Sequence, residues 1–424
     1  MKTNILNSRW TGFALFLALF GTLTFLSLNK WKNDPLRVIW SDAEGYYLYL
    51  PGTFLYQFED MPLRTPGWPK RGNKIFTKYS CGVAIMQAPF FAVAHIYSSL
   101  TRFDADGFSY PYGIAIILSA IFYMLLGIWL LHRILRKHFA RPVLIVTYLL
   151  LGLGSNLYYY TIAESGMSHI YSFFLFAAII YLTDKVINRP DRSSFMILGL
   201  VFGLTILVRP TNIIAGLWIL FYNVSNLQDF LDRIDFFRRH LLKLTLAFAA
   251  FLATWVPQLI YWRYVAGEWV AYSYGEEGFD HWKNPKMIQV LTDLENGLFL
   301  YSPAVLIALL GVFYCIESKR SNGWLTLILF TIATYMFGSW WDWNFGGAFG
   351  HRCYVEYYAL LFGPMAWTID AISKSRYKIS KVTFAGLSFL LIYYSLQMSY
   401  AYAPPWDGPN WNWSRFWAIV QTFF

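Results

Sequence analysis

The chain has 424 residues, 57% hydrophobic and 14% charged, with a net charge of +10. An ordinary soluble domain carries roughly 25% charged residues, so a soluble globular protein is excluded. The positive balance reads as lysine and arginine kept on the cytoplasmic side of a membrane, not as a nucleic-acid surface.

Apolar runs of the length that crosses a hydrocarbon core of about 30 Å recur along the chain. They fall near 11–28, 112–131, 143–161, 169–184, 194–208, 212–223, 244–263, 302–317, 324–339, 354–370 and 382–400. The expected fold is all-α: a polytopic transmembrane helical bundle of about 11 spans forming a single integral membrane domain over 1–424. The first run follows Lys2 and Arg9 and has no small-residue cleavage site after it, so it reads as a retained helix. The run 79–97 is also apolar. Counting it as a span would place the basic loop HRILRKHFARP outside, so a half-embedded juxtamembrane helix is expected there.

With the N-terminus inside, the 34 basic residues divide into 19 inside and 15 outside, nine of the latter in residues 29–111. The inner loops are short and mainly basic. Function is therefore sought in three outer segments: 29–111, 264–301 and the tail 401–424. Cys81, Cys315 and Cys353 stand singly, with neither disulfide nor zinc spacing.

The string Trp40-Ser41-Asp42-Ala43-Glu44-Gly45 follows the first helix. A carboxylate there suits a general base or a divalent-metal ligand, or simply a helix N-cap. Lys74 and Lys78 precede the half-embedded helix, where an ammonium either meets a lipid phosphate or anchors to headgroups. Glu164 and His169 border hydrocarbon at the outer end of a helix; His169 suits a phosphate or a backbone carbonyl. Arg209 joins two runs too short to cross fully, and a buried guanidinium requires an anion, whether phosphate, Asp42 or Glu164. Glu276 lies in a glycine-flanked loop that either touches an acceptor or is simply exposed. The string Trp340 to Arg352 is the most distinctive in the chain. Trp341, Asp342 and Trp343 combine aromatic faces with polar groups, as sugar rings require, and Arg352 with His351 suits a phosphate. An interfacial aromatic belt is the alternative.

These strings resemble the GT-C class of polyprenyl-phosphate-sugar-dependent glycosyltransferases. The acidic pair matches the first-loop acids of that class. The segment FTKYS…APFF is similar to the lysine-bearing helix of the aminoarabinose and protein mannosyl transferases, without its proline pair. NGLFLYSP and GGAFGHR look like the corresponding outer-loop motifs. The resemblance implies an inner-membrane, multi-pass enzyme facing the periplasm or exterior. It would move a sugar, with inversion, from a polyprenyl-phosphate donor to an extracytoplasmic acceptor. It implies Asp42 as base, Glu44 and Glu164 in support, and Lys78, Arg209, His351 and Arg352 as phosphate ligands. His169, Trp341, Asp342, Trp343 and Glu276 fall to sugar or acceptor binding. No cofactor is certain; a divalent cation (Mg or Mn) on Asp42, Glu44 and Glu164 is the one considered. Beside donor and acceptor, the partner expected is membrane lipid. A transporter or flippase of lipid-linked sugar, and an undecaprenyl-linked glycan ligase or polymerase, are the rival readings.

Overall fold

The computed structural model describes residues 9–32, 34–320, 322–404 and 406–424, so Lys2 lies outside the described residues. The chain is helical almost throughout. The exception among the described residues is a two-strand hairpin, Lys70–Arg71 paired antiparallel with Lys74–Ile75. Every apolar run is helical over most of its length. Among the described residues five helices are long and apolar enough to cross a membrane: Gly12–Lys30, Tyr110–Leu135, Ser168–Asn188, Leu241–Ala266 and Lys378–Ala401. Arg141–Leu153, Arg192–Val208, Pro210–Phe221, Ala304–Glu317 and Gly323–Ser339 are apolar but shorter. At 1.5 Å per residue a 17-residue helix spans about 25 Å, short of the hydrocarbon core. The run 143–161 is interrupted after Leu153 and resumes as Leu157–Ile162.

Contacts divide the chain into two compact units of interleaved segments. The first comprises Met1–Leu126, Tyr160–Tyr171 and Pro257–Ser273. Here the end of the first helix is tied to the 160–171 segment: Ser27 Oγ donates to the Ile162 carbonyl at 2.6 Å and Trp31 Nε1 to that of Ala163 at 2.9 Å. A layer of aromatic rings, Tyr49, Phe58, Phe76 and Tyr261, packs together within this unit. Its polar edges are satisfied, as burial demands: the Tyr261 hydroxyl accepts from the Thr77 amide and the Gln258 side chain from the Cys81 amide. The helix Gly82–Ser99 contains Pro89 and leaves Val93, Ile96, Tyr97 and Leu100 exposed. It is not among the five helices that meet the crossing criteria.

The second unit comprises Gly127–Tyr159, Ser172–Val256 and Tyr274–Phe424. Helix Arg192–Val208 lies against residues 247–254 through Gly199 and Gly203; a Cβ on Gly199 would stand 2.0 Å from the Ala247 carbonyl oxygen. Small residues four apart allow this backbone approach in a membrane helix. Asn156, fully buried, joins three segments. Its amide donates to the Phe349 carbonyl, its oxygen accepts from the Tyr358 hydroxyl at 2.6 Å, and its backbone N–H donates to Ser302 Oγ. The C-terminal tail folds back onto the 294–301 turn. Trp406 and Trp411 stack with centroids 4.7 Å apart, and Trp411 Nε1 donates to the Leu294 carbonyl.

Candidate active site

In the first unit, Asp42 opens the short helix Asp42–Tyr47 and is only half-buried. Ser41, just before it, sits at φ 53°, ψ −128°, a conformation nearly restricted to glycine and costing on the order of 1–3 kcal/mol. Strain of this kind, held by a surrounding structure, is characteristic of functional turns. Here it is held by the Ser41 amide donating to Thr65 Oγ1 at 2.8 Å. Asp42 Oδ1 accepts from the Tyr79 hydroxyl at 2.6 Å.

Glu44, two residues on, is fully buried and accepts from the Arg64 and Thr65 amides and from Trp68 Nε1, at 2.6, 2.9 and 2.9 Å. Its carboxylate is the node that folds residues 64–68 over the helix. Arg64 in turn pairs with Asp34 at 2.6 Å, and that hydrogen bond holds the Asp34 carboxyl below its ordinary pKa. The two acids of the motif thus occupy different environments: Asp42 is accessible and Glu44 is enclosed.

Of the two lysines, Lys74 lies over the Tyr264 ring at 3.6 Å and donates to the Tyr264 carbonyl, whereas Lys78 is half-buried beside Tyr79. Glu164 is half-buried in the turn 164–167, which is pressed against the approach to the Asp42 helix: a Cβ on Gly166 would lie 2.0 Å from the Val38 carbonyl oxygen. Glu164 also acts electrostatically on Lys30. His169 is completely buried, its ring edge-on to Tyr160 at 5.2 Å.

In the second unit the structure gathers Arg209, His351, Arg352, Cys353 and Glu356. Arg209 caps the end of the helix Arg192–Val208 in extended conformation. Its Nε lies 3.6 Å from Glu356 Oε1 and its Nη2 donates to Cys353 Sγ at 3.1 Å. Glu356, fully buried, also feels Arg352. The two guanidinium groups act on this one buried carboxylate together.

His351 behaves differently from the cation the sequence suggests. It is 1% exposed and enclosed by Phe337, Phe345 and Tyr354, and burial, aided by Arg352 and Arg209, pushes its pKa down to about 3. It is neutral at physiological pH and donates Nε2–H to the Trp343 carbonyl at 3.1 Å. It therefore anchors the tryptophan loop rather than carrying a charge. Trp341 is 45% exposed, Asp342 and Trp343 are half-buried, and Glu276 is exposed in its loop.

Tyr79 and Glu356, neither of them a candidate from the sequence, stand at these groups, with Trp68 and Cys353 beside them. Glu356 carries a signal that reading missed: an acid inside an apolar run, four residues after Arg352, is by default the partner of a nearby cation. Tyr79 carries none, because tyrosines abound in this chain. As for a divalent cation, the described residues contain no group of three or more His, Cys, Asp or Glu disposed to hold one. Both Glu44 oxygens are already engaged by N–H donors.

Residues 111–261 match the model of the dolichyl-phosphate-mannose-protein mannosyltransferase family. No curated protein matches the chain. The matched stretch is a domain of the GT-C superfamily, and with its membrane-length helices the chain is similar to membrane glycosyltransferases of that general type.

Proposed function

We propose that the protein transfers a sugar from a polyprenyl-phosphate donor to an extracytoplasmic acceptor, with Asp42 as general base. The observation that carries this reading is the division of labour in the Asp42–Glu44 pair. An accessible carboxylate is held in place by a hydrogen bond behind a strained turn, while its neighbour is fully enclosed. A base must meet its acceptor hydroxyl or amine within hydrogen-bond reach, and Asp42 is the acid placed to do so. The base removes the acceptor proton as the acceptor oxygen or nitrogen attacks the sugar C1, and the C1–O bond to the lipid phosphate breaks with inversion. Negative charge then develops on the departing phosphate, which fixed cations stabilise. Lys78, which shares a unit with Asp42, is proposed for that task, and Arg209 and Arg352 are proposed as phosphate ligands. Glu164 supports the Asp42 segment. Trp341, Asp342, Trp343, His169 and Glu276 belong to sugar or acceptor recognition. The dolichyl-phosphate-mannose in the matched family's description supports a lipid-phosphate donor, with mannose as the first sugar to try. The site faces the periplasm or exterior of the inner membrane.

A transporter of lipid-linked sugar would expose its ionic residues to both sides in turn; a transferase needs them on one. Single cysteines at positions 42, 164, 209 and 352, probed with a membrane-impermeant maleimide, separate the two. The native Cys81, Cys315 and Cys353 are all buried, which keeps background labelling low. The transferase reading predicts labelling from the outer side alone. Labelling from both sides contradicts it.

A further inference from the structure

The Tyr79 ring lies across the Asp42–Tyr47 helix at the position of Gly45, three residues beyond Asp42 and on the same face. A Cβ on Gly45 would stand 2.4 Å from Tyr79 Cδ2 and 2.5 Å from the Trp68 ring, so no other residue leaves room for the tyrosine there. The backbone of Tyr79 is fixed on both sides: its N–H donates to Thr77 Oγ1 at 3.2 Å and its carbonyl accepts from the Tyr49 hydroxyl at 2.7 Å. Thr77 Oγ1 itself donates to the Gly45 carbonyl at 2.9 Å, bonding the segment directly to the helix. Tyr46 packs on the same ring at 4.4 Å. The Trp68 ring, pinned by Glu44, meets it edge-on at 6.5 Å. A continuous path of fixed groups therefore runs from the enclosed acid to the accessible one: Glu44, Trp68, Tyr79, Asp42.

We propose that Tyr79 is the positioning residue of the base, seated by Gly45 and braced by the Glu44–Trp68 pair, and that its hydroxyl holds the Asp42 carboxylate in the orientation from which it takes the acceptor proton. The inference rests on the assignment of Asp42 as base and gives Glu44 its part in the same arrangement. A hydroxyl donating to a carboxylate stabilises the ionised form. Removing it makes Asp42 titrate at higher pH. The other titratable or charged groups on the helix and the segments packed against it include Glu44, Tyr46 and Tyr47 on the helix, the last donating to the Gly107 carbonyl, Arg64 on the overlying loop, Lys78 beside Tyr79, and Glu164 in the turn at Gly166. The helix Gly82–Ser99 adds His95, which is engaged by the Tyr112 hydroxyl.

The experiment uses the full chain in nanodiscs with radiolabelled polyprenyl-phosphate mannose as probe. It compares wild type, Tyr79→Phe and Gly45→Ala. The expected result is a loss in kcat/KM of roughly ten- to a hundred-fold and a shift of the acid limb of the pH profile upward by about one unit. It is the same in both variants, since the Gly45→Ala methyl displaces the ring. A purely structural role would lower activity at all pH values and leave the limb in place, which overturns the proposal. An activity-free readout accompanies it: the pH-dependent infrared band of the protonated carboxyl that disappears in Asp42→Asn. That band should titrate at higher pH in Tyr79→Phe than in wild type. If it does so while no transfer occurs, the enzymatic reading fails and the Tyr79–Asp42 coupling stands. If it does not move, the coupling fails whatever the activity.

Discussion

His351 donates its Nε2 hydrogen to the Trp343 carbonyl, and its Nδ1 is buried with no hydrogen-bond partner among the described residues. Protonating Nδ1 would place a charge in an aromatic enclosure beside two arginines. The folded-state pKa, about 3, therefore lies below the unfolded value of about 6.5. The neutral ring's contribution to stability is complete above pH 6.5 and is lost as pH falls toward 3, because the unfolded chain binds the extra proton first. The thermal midpoint should fall between pH 7 and pH 5, and fall less in His351→Gln, whose side-chain amide can still donate to the Trp343 carbonyl. Equal slopes in the two proteins would contradict this account of His351. Arg352, next to it in sequence, needs no such enclosure, because a guanidinium keeps its charge in almost any setting. Histidine and arginine in one motif read alike in sequence; burial separates their roles.

The helix Arg192–Val208 shows how an element can place a charge. It is one of the shorter apolar helices, it ends in an extended residue, and that residue is Arg209. Its position is set by the close contact of Gly199 and Gly203 with residues 247–254, where the opposing atoms are largely backbone and cannot yield. Gly199→Ala should force the helices apart, lower the thermal midpoint by several degrees and displace Arg209, whereas Leu200→Ala, at an exposed position on the same helix, should do neither. An unchanged midpoint in Gly199→Ala would refute the packing described. The helices themselves are legible from apolar runs, since about 20 such residues have few other uses. Which of them reach full membrane length is less so. Breaks such as that after Leu153 come from local geometry around Gly154 to Asn156, where Asn156 trades helix continuation for bonds to distant segments.

Across the whole molecule, the acids that matter and the cations assigned to phosphate come from stretches far apart in the sequence, distributed over two interleaved units. That is why the candidate residues were legible as motifs while their partners were not. Asp42, Arg209 and Arg352 stand out because ionisable groups next to apolar runs are costly and rare. Tyr79 and Trp68 do not, in a chain with 31 tyrosines and 19 tryptophans. Nor does the division between Asp42 and Glu44, which depends on a loop closing over only one of them. The unit structure is equally silent in composition, since each unit draws on three separate stretches.

The proposed role of Asp42 as base of a lipid-donor glycosyl transfer is tested by transfer itself. Purified protein in nanodiscs is given radiolabelled polyprenyl-phosphate mannose and the corresponding glucose donor. Membrane lipid, glycan and peptide extracts serve as acceptors, beside Asp42→Asn and Arg352→Ala variants shown to retain their thermal midpoints. The account predicts transfer by the wild type, a fall in kcat of about 10²–10⁴ in Asp42→Asn, and a loss in Arg352→Ala carried by donor binding as well as turnover. Transfer that persists undiminished in Asp42→Asn would contradict it.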